Sequence, residues 1–233
     1  MVDNYRLIGH FYDALSHLYG GRALQRCKLA MLDQLRPGDK VLFAGVGHGL
    51  DAIYAAERGA QVTVVDLSQT MLDKFQDNLF RYQIAQPIRQ VHGDILAFRE
   101  YEQYDVVVAN FFLNVFDEDS MPRVLAHLID LGKADARVVV GDFCPASGGW
   151  LTRALQAVYW YTAVLLFCLL TDNPLHRIYH YPSHLQALGL SVLDTRRFGS
   201  RGHYWAILAQ KHGARRPLQP ERLPPLPTLA EPA

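Results

Sequence analysis

Five short apolar runs, separated mostly by stretches with helical periodicity, constrain this chain more than any other feature. They are KVLFAG (40–45), QVTVVD (61–66), IRQVHGD (88–94), YDVVVAN (104–110) and ARVVVGDF (136–143). The runs are near-continuous rather than alternating, the pattern of strands buried on both faces. A helix-like stretch follows the first run as far as Gly59. SQTMLDKFQDNLFRY (68–82) follows the second with Ser68 as its expected N-cap, and DSMPRVLAHLIDLG (119–132) precedes the fifth. Strand and helix alternating at this cadence predict βαβ units and a parallel sheet covered on both faces.

The ends of the chain read differently. Leu7, Phe11, Leu15 and Leu18 recur at spacings of three and four, and a second helix is expected from Ala23 to Leu35, before the turn pair Pro37-Gly38. After residue 184 a short helix, SHLQALG, leads to LSVLDTRRF and HYWAILAQ. Only Gly199 to Gly202 separate these two, so an antiparallel hairpin closes the sheet. One domain is expected over 1–212, with a helical lid over 1–36 and an insertion over 145–183. The proline-rich segment 213–233 is expected to be a flexible tail.

Composition narrows the function. Half of the 233 residues are hydrophobic, enough for a sizeable core, and Lys+Arg equals Asp+Glu at 23 each. That balance builds no positive field, so no nucleic-acid partner is expected. The three cysteines, Cys27, Cys144 and Cys168, are too few and too scattered for a disulfide framework or a zinc ribbon; reduced thiols in a cytoplasmic protein are expected. The N-terminal twenty residues lack the apolar region of a signal peptide. His176 and His180 are four apart but no carboxylate completes a set, so no metal site is expected.

The glycine loop, VLFAGVGHGLDA (41–52), follows the first run. Glycines at the end of a first parallel strand let the backbone approach a ligand beside a helix N-terminus. The third glycine comes one residue too early for a dinucleotide fingerprint, Leu50 occupies that fingerprint's last position, and no Gly-Lys-Ser/Thr makes it a P-loop. Asp66 ends the second run about 20 residues on, where a carboxylate can accept both hydroxyls of a ribose. Asp94 ends the third and can accept from an adenine amino group. A ribose acceptor, an adenine acceptor and a loop poorly suited to pyrophosphate describe an adenosine without phosphates.

With VLFAGVGHG, VTVVDLSQTML, HGDI, ANFFLNVF and VVVGDF in series, the chain resembles the class I S-adenosylmethionine-dependent methyltransferases of small-molecule type over about residues 10–210. The resemblance implies an α/β fold with a Rossmann-like, seven-stranded, mostly parallel sheet and a reversed C-terminal strand. It implies S-adenosylmethionine as cofactor, with Gly45, Gly47 and His48 along its methionine side and Asp66 on the ribose. Leu67 and Met71 belong to the same segment as Asp66. Asp94 and Ile95 would meet the adenine, Asn110 and Phe111 would floor the site, and Tyr12 would lie in a helix closing over the cofactor. The post-strand motif Asn110-Phe111-Phe112-Leu113 lacks the Pro-Pro-aromatic signature of amino-methylating enzymes acting on DNA bases or glutamine, which points to a small acceptor.

Phe43 departs from the family, most members of which carry an acid there that helps hold the cofactor's ammonium. Two readings are open. Phe43 is a core residue and other groups hold the amine; or an apolar site favours an uncharged amine. In the second case the amine can attack its own γ-carbon, releasing methylthioadenosine and forming azetidine-2-carboxylate, as in a small group of methyltransferase-like cyclases. A weaker alternative is a non-catalytic protein that kept the fold.

The fourteen-residue apolar run AVYWYTAVLLFCLL (157–170) is too short to cross a bilayer, which needs about 20 residues. It is expected to form a buried or lid helix rather than meet a membrane, and a homodimer face stays open. Trp150, Tyr159, Trp160 and Tyr181 are candidate substrate contacts, because aromatic faces attract a sulfonium. His176 and Tyr179 carry polar tips and are candidate catalytic groups, with His176 as base. Asp142, after the fifth strand, is the candidate to orient an acceptor or the amine.

Overall fold

The computed structural model describes residues 21–84, 86–145, 149–150, 158, 178–199 and 202–212. The first twenty residues of the expected lid, most of the expected insertion and the tail from 213 lie outside the described residues. Seven strands form one sheet: β1 (Lys40–Ala44), β2 (Gln61–Asp66), β3 (Arg89–His92), β4 (Tyr104–Asn110), β5 (Gly132–Phe143), β6 (Leu190–Phe198) and β7 (Tyr204–Lys211). Their order across the sheet is β3-β2-β1-β4-β5-β7-β6. The pairs from β3 to β5 are parallel, and β7 runs antiparallel to both β5 and β6. This is the expected sheet, including the reversed strand.

Helices cover both faces. On one lie α1 (Gly21–Leu29), α2 (Leu50–Glu57) and α3 (Gln69–Arg81); on the other lie α4 (Ser120–Leu131) and α5 (Tyr181–Ala187). The side chains of β1 divide between the two cores, with Val41 and Phe43 in the first and Leu42 and Ala44 in the second. Ser68 caps α3 as expected, its hydroxyl accepting from the Met71 amide at 3.3 Å. Cys27 and Cys144 are buried free thiols; Cys27 Sγ donates to the Trp205 carbonyl at 3.1 Å.

Two boundaries differ from expectation. The second helix was expected to reach Leu35, but α1 stops at Leu29 and a single 3₁₀ turn, Leu32–Gln34, follows. Side chains from the sheet take the carbonyls that would continue it: Asn110 Nδ2 donates to Lys28 O at 3.1 Å, and Arg196 Nη1 donates to Ala30 O at 2.8 Å. Strand β5 begins at Gly132, directly after α4, where a Cβ would come within 2.7 Å of that of Ala136.

At Gly49, the N-cap of α2, φ is +68°, and a Cβ would lie 2.0 Å from Phe75 Cδ2. Gly38 also has positive φ, +87°, but faces open space. Gly49→Ala is therefore expected to cost about 2–4 kcal/mol, strain plus overpacking, against about 1–2 kcal/mol for Gly38→Ala, strain alone. Chemical denaturation of the two variants beside the wild type checks the difference.

Candidate functional site

The C-terminal ends of β1, β2 and β4 converge on the glycine loop. Gly45 has φ of +74°, Gly47 of +50° and Gly49 of +68°, a turn that few other residues adopt. The Gly45 amide donates to Val65 O at 2.8 Å, joining the loop to β2. A Cβ at Gly45 would lie 2.8 Å from the Phe112 ring, so the loop and the segment after β4 close on each other. The His48 carbonyl accepts from Asn78 Nδ2 at 2.9 Å, which ties the loop to α3.

Asp66 ends β2 and grips both flanks. Its Oδ2 accepts from the Val46 amide at 2.7 Å and its Oδ1 from the Ser68 amide at 2.8 Å. A carboxylate oxygen has two lone pairs, so these bonds are compatible with accepting ribose hydroxyls as well. Leu67, beside it, is 46% exposed at the rim, whereas Met71 is buried in the core beneath. Asp94 lies two residues past the end of β3, which stops at His92, and is the N-cap of a 3₁₀ turn, Ile95–Ala97. Its Oδ1 accepts from Leu96 N at 2.8 Å.

His127, a residue the sequence did not single out, reaches this turn from α4. Its Nε2 lies 2.8 Å from Ile95 O. Burial holds the imidazole below its usual pKa, outweighing the contact with Ile95 O. Its spacing on α4 is that of an ordinary core position, so only the fold reveals the contact.

On the β4 side, Phe111 has φ of +53°, left-handed backbone that a bulky residue rarely adopts. Its amide donates to Gly141 O at 2.6 Å, and its ring meets Phe143 edge-on at 5.4 Å and Tyr204 at 5.6 Å. Phe43, by contrast, is 2% exposed and packs in the core with Val41, Val64 and Val108.

The residues expected on the acceptor side fall into three groups. Tyr12, Tyr159, Trp160 and His176 lie outside the described residues. Trp150 is 80% exposed. Asp142, Tyr179 and Tyr181 form a buried frame. Asp142 accepts from Tyr181 Oη at 2.6 Å, from Asn114 Nδ2 at 3.0 Å and from the Phe143 amide at 2.7 Å. Tyr179 Oη donates to Phe116 O at 2.8 Å. Burial first, then the nearby Asp142 carboxylate, pushes the Tyr181 phenol well above its usual pKa, and Tyr179 rises for like reasons. Both phenols thus remain neutral donors. Among the described residues no cluster of metal-ligating side chains occurs, and no helix is long and apolar enough to cross a membrane. A cleft of about 860 Å³ opens at the opposite, N-terminal edge of the sheet, lined by Lys40, Gln61, Arg89 and Tyr104 among others. It lies away from the end where α/β sheets bind ligands.

Residues 41–135 match the family model described as a methyltransferase domain. Over 90% of this chain and 93% of the other, the structure superposes on magnesium protoporphyrin IX methyltransferase from Synechocystis PCC 6803 with bound S-adenosylhomocysteine, at a TM-score of 0.65 and 20% identity. The fold is a Rossmann-like methyltransferase fold. A methyltransferase from Burkholderia thailandensis, solved with 1,6-didemethyltoxoflavin and S-adenosylhomocysteine, matches at a TM-score of 0.64 and 21% identity, over 90% of this chain and 87% of that one. Among curated relatives, a ribosomal protein L11 methyltransferase of Exiguobacterium sp. is 34% identical over 56% of this chain and 40% of its own length. A ubiquinone biosynthesis O-methyltransferase of Stutzerimonas stutzeri is 30% identical over 52% of this chain and 57% of its own length. The chain thus spans about half the length of these curated relatives.

Two outcomes test this geometry. Tyr181→Phe removes a donor from a buried carboxylate and is expected to cost about 1–3 kcal/mol of stability by denaturant titration. His127 has a folded pKa below its unfolded value near 6.5, so the stability tied to its neutral form is complete above that pH and is lost as pH falls through the lower folded value. Replacing His127 with Gln should flatten the decline of melting temperature between pH 7 and about pH 5.

Proposed function

We propose that the chain is a cytoplasmic S-adenosylmethionine-dependent methyltransferase acting on a small molecule. The observation that carries this is the Asp66 carboxylate, held at the end of β2 by the Val46 and Ser68 amides beside a loop of left-handed glycines. Gly45, Gly47 and His48 would carry the methionine part, Asp66 the ribose, Leu67 the rim, and Asp94 with Ile95 the adenine. Met71 would act from beneath by supporting the turn after Asp66. The fit rests on the chain's own geometry: beside Asp66 the loop turns through left-handed glycines, and a Cβ at Gly47 would meet only Lys28 Nζ, at 3.8 Å, so the backbone there is open to a ligand.

When bound, the cofactor supplies a methyl group activated by its sulfonium. The chain's task is to position the acceptor and exclude water. Asp142, saturated by Tyr181, Asn114 and Phe143, would fix the floor on which the acceptor rests rather than move a proton. His176 is the candidate base for an acceptor that keeps its proton, with Tyr12, Tyr159 and Trp160 as candidate walls. The balanced charge of 23 against 23 and the post-β4 motif support a small acceptor. Core packing of Phe43 supports the methyl-transfer reading over the cyclase, because its hydrocarbon does not line the loop.

Two measurements test the proposal. Asp66→Asn should weaken S-adenosylhomocysteine binding at least tenfold in calorimetry while the far-ultraviolet spectrum is kept; unchanged affinity contradicts it. Incubation with S-adenosylmethionine alone should leave the compound intact, whereas release of methylthioadenosine would favour the cyclase.

A further inference from the structure

The carboxylates at the ends of β2 and β3 are held from behind in the same way. Asp66 Oδ1 accepts from the Ser68 amide at 2.8 Å, and Asp94 Oδ1 accepts from the Leu96 amide at 2.8 Å. Each acid thus grips the amide two residues further on. The carbonyl of that same peptide group points the other way, because C=O and N–H are opposed across a planar trans peptide. Each of these carbonyls meets a histidine from another element. His92 Nε2 lies 3.0 Å from Leu67 O, and His127 Nε2 lies 2.8 Å from Ile95 O.

A carbonyl oxygen only accepts, so in both contacts Nε2 carries the proton and donates. The chain of bonds is therefore identical at the two strand ends: imidazole N–H to carbonyl, across one peptide, then amide N–H to carboxylate. Fixing the carbonyl fixes the peptide plane, and that plane sets where the amide holds Oδ1. Bonds in such a chain polarise one another, so the imidazole also strengthens the amide's hold. Both histidines are themselves supported. His92 pairs with Asp66 in the register of β3 on β2, and the Gly93 amide donates to Asp66 O at 2.9 Å. His127 is 8% exposed on α4, and Tyr101 meets its ring edge-on at 5.8 Å. Asp94 Oδ2 takes no hydrogen bond among the described residues, so it keeps its accepting capacity for a ligand.

We propose that His92 and His127 are positioning residues, each aiming one carboxylate through one peptide group: His92 aims Asp66 at the ribose, and His127 aims Asp94 at the adenine amino group. This rests on the reading that the chain binds S-adenosylmethionine through these two acids. The role is in discrimination more than in raw affinity. A carboxylate held in one direction gains most from the hydroxyl or amino group it is built to meet, and rejects an analogue that lacks it. The two relays use different peptides and different histidines, so their effects are separable.

Calorimetry with three ligands decides it. S-adenosylhomocysteine is compared with S-inosylhomocysteine, in which an oxo group replaces the adenine amino group, and with the 2′-deoxy form of S-adenosylhomocysteine. The wild type should bind the parent compound about tenfold or more tightly than either analogue. His127→Leu should lower the preference for adenine by about threefold or more and keep the preference for the 2′-hydroxyl; His92→Leu should do the reverse. Glutamine in place of either histidine keeps a donor at Nε2 and should recover most of the loss. Mere loosening of the fold would weaken all three ligands in one ratio, so it would overturn the relays. So would unchanged ratios in the leucine variants, or glutamine variants no better than leucine. A wild type that binds all three ligands alike would overturn the relays while leaving cofactor binding in place, and one that binds none would overturn both. If melting shows that His127→Leu does not fold, the exposed His92 and its two variants decide alone.

Discussion

A single carboxylate organises the end of the sheet where chemistry can occur. Asp66 accepts from Val46 in the glycine loop and from Ser68 at the start of α3, so it couples three elements that the chain delivers separately. Backbone amides at a strand end cannot be left buried without acceptors. By satisfying two of them, Asp66 fixes the loop that a ligand would approach, and any ligand bond it makes comes on top of that structural task. The role proposed for this residue and its structural role therefore share one geometry.

Much of this was legible in the amino-acid order because it is local. The apolar runs became strands, the short Gly199–Gly202 link became a hairpin, and Ser68 became a cap. Glycines at 45, 47 and 49 announced a loop, and each has the positive φ that makes glycine necessary there. What stayed hidden depends on partners far apart in the chain. Asn110 and Lys28 meet across 82 positions, and Asp142 and Tyr181 across 39. Nothing in the periodicity around Lys28 distinguishes it from a solvated helix residue. Asp142 and Tyr181 illustrate the reverse. Polar groups near a strand end suggest ligand contacts, yet here two of them satisfy each other in the core.

The two edges of the sheet are also unlike. A cleft sits where the strands begin, next to a surface ion pair of Arg89 with Glu100 at 2.6 Å. Where the strands end, the backbone is strained at Phe111, the glycines converge and Asn110 Oδ1 is buried without a hydrogen-bond partner. Strain and an unsatisfied buried carbonyl make the C-terminal end the candidate for a ligand. Phe43 plays no part at that end that the structure records: its side chain lies in the core with Val41, Val64 and Val108.

Amide hydrogen exchange with and without S-adenosylhomocysteine tests the central claim most directly. If the adenosyl compound binds across the ends of β1, β2 and β3, added ligand will slow exchange at 45–49, 66–68 and 94–97 and leave 86–89 unchanged. Protection confined to the opposite cleft, or none at saturating ligand, would contradict the account.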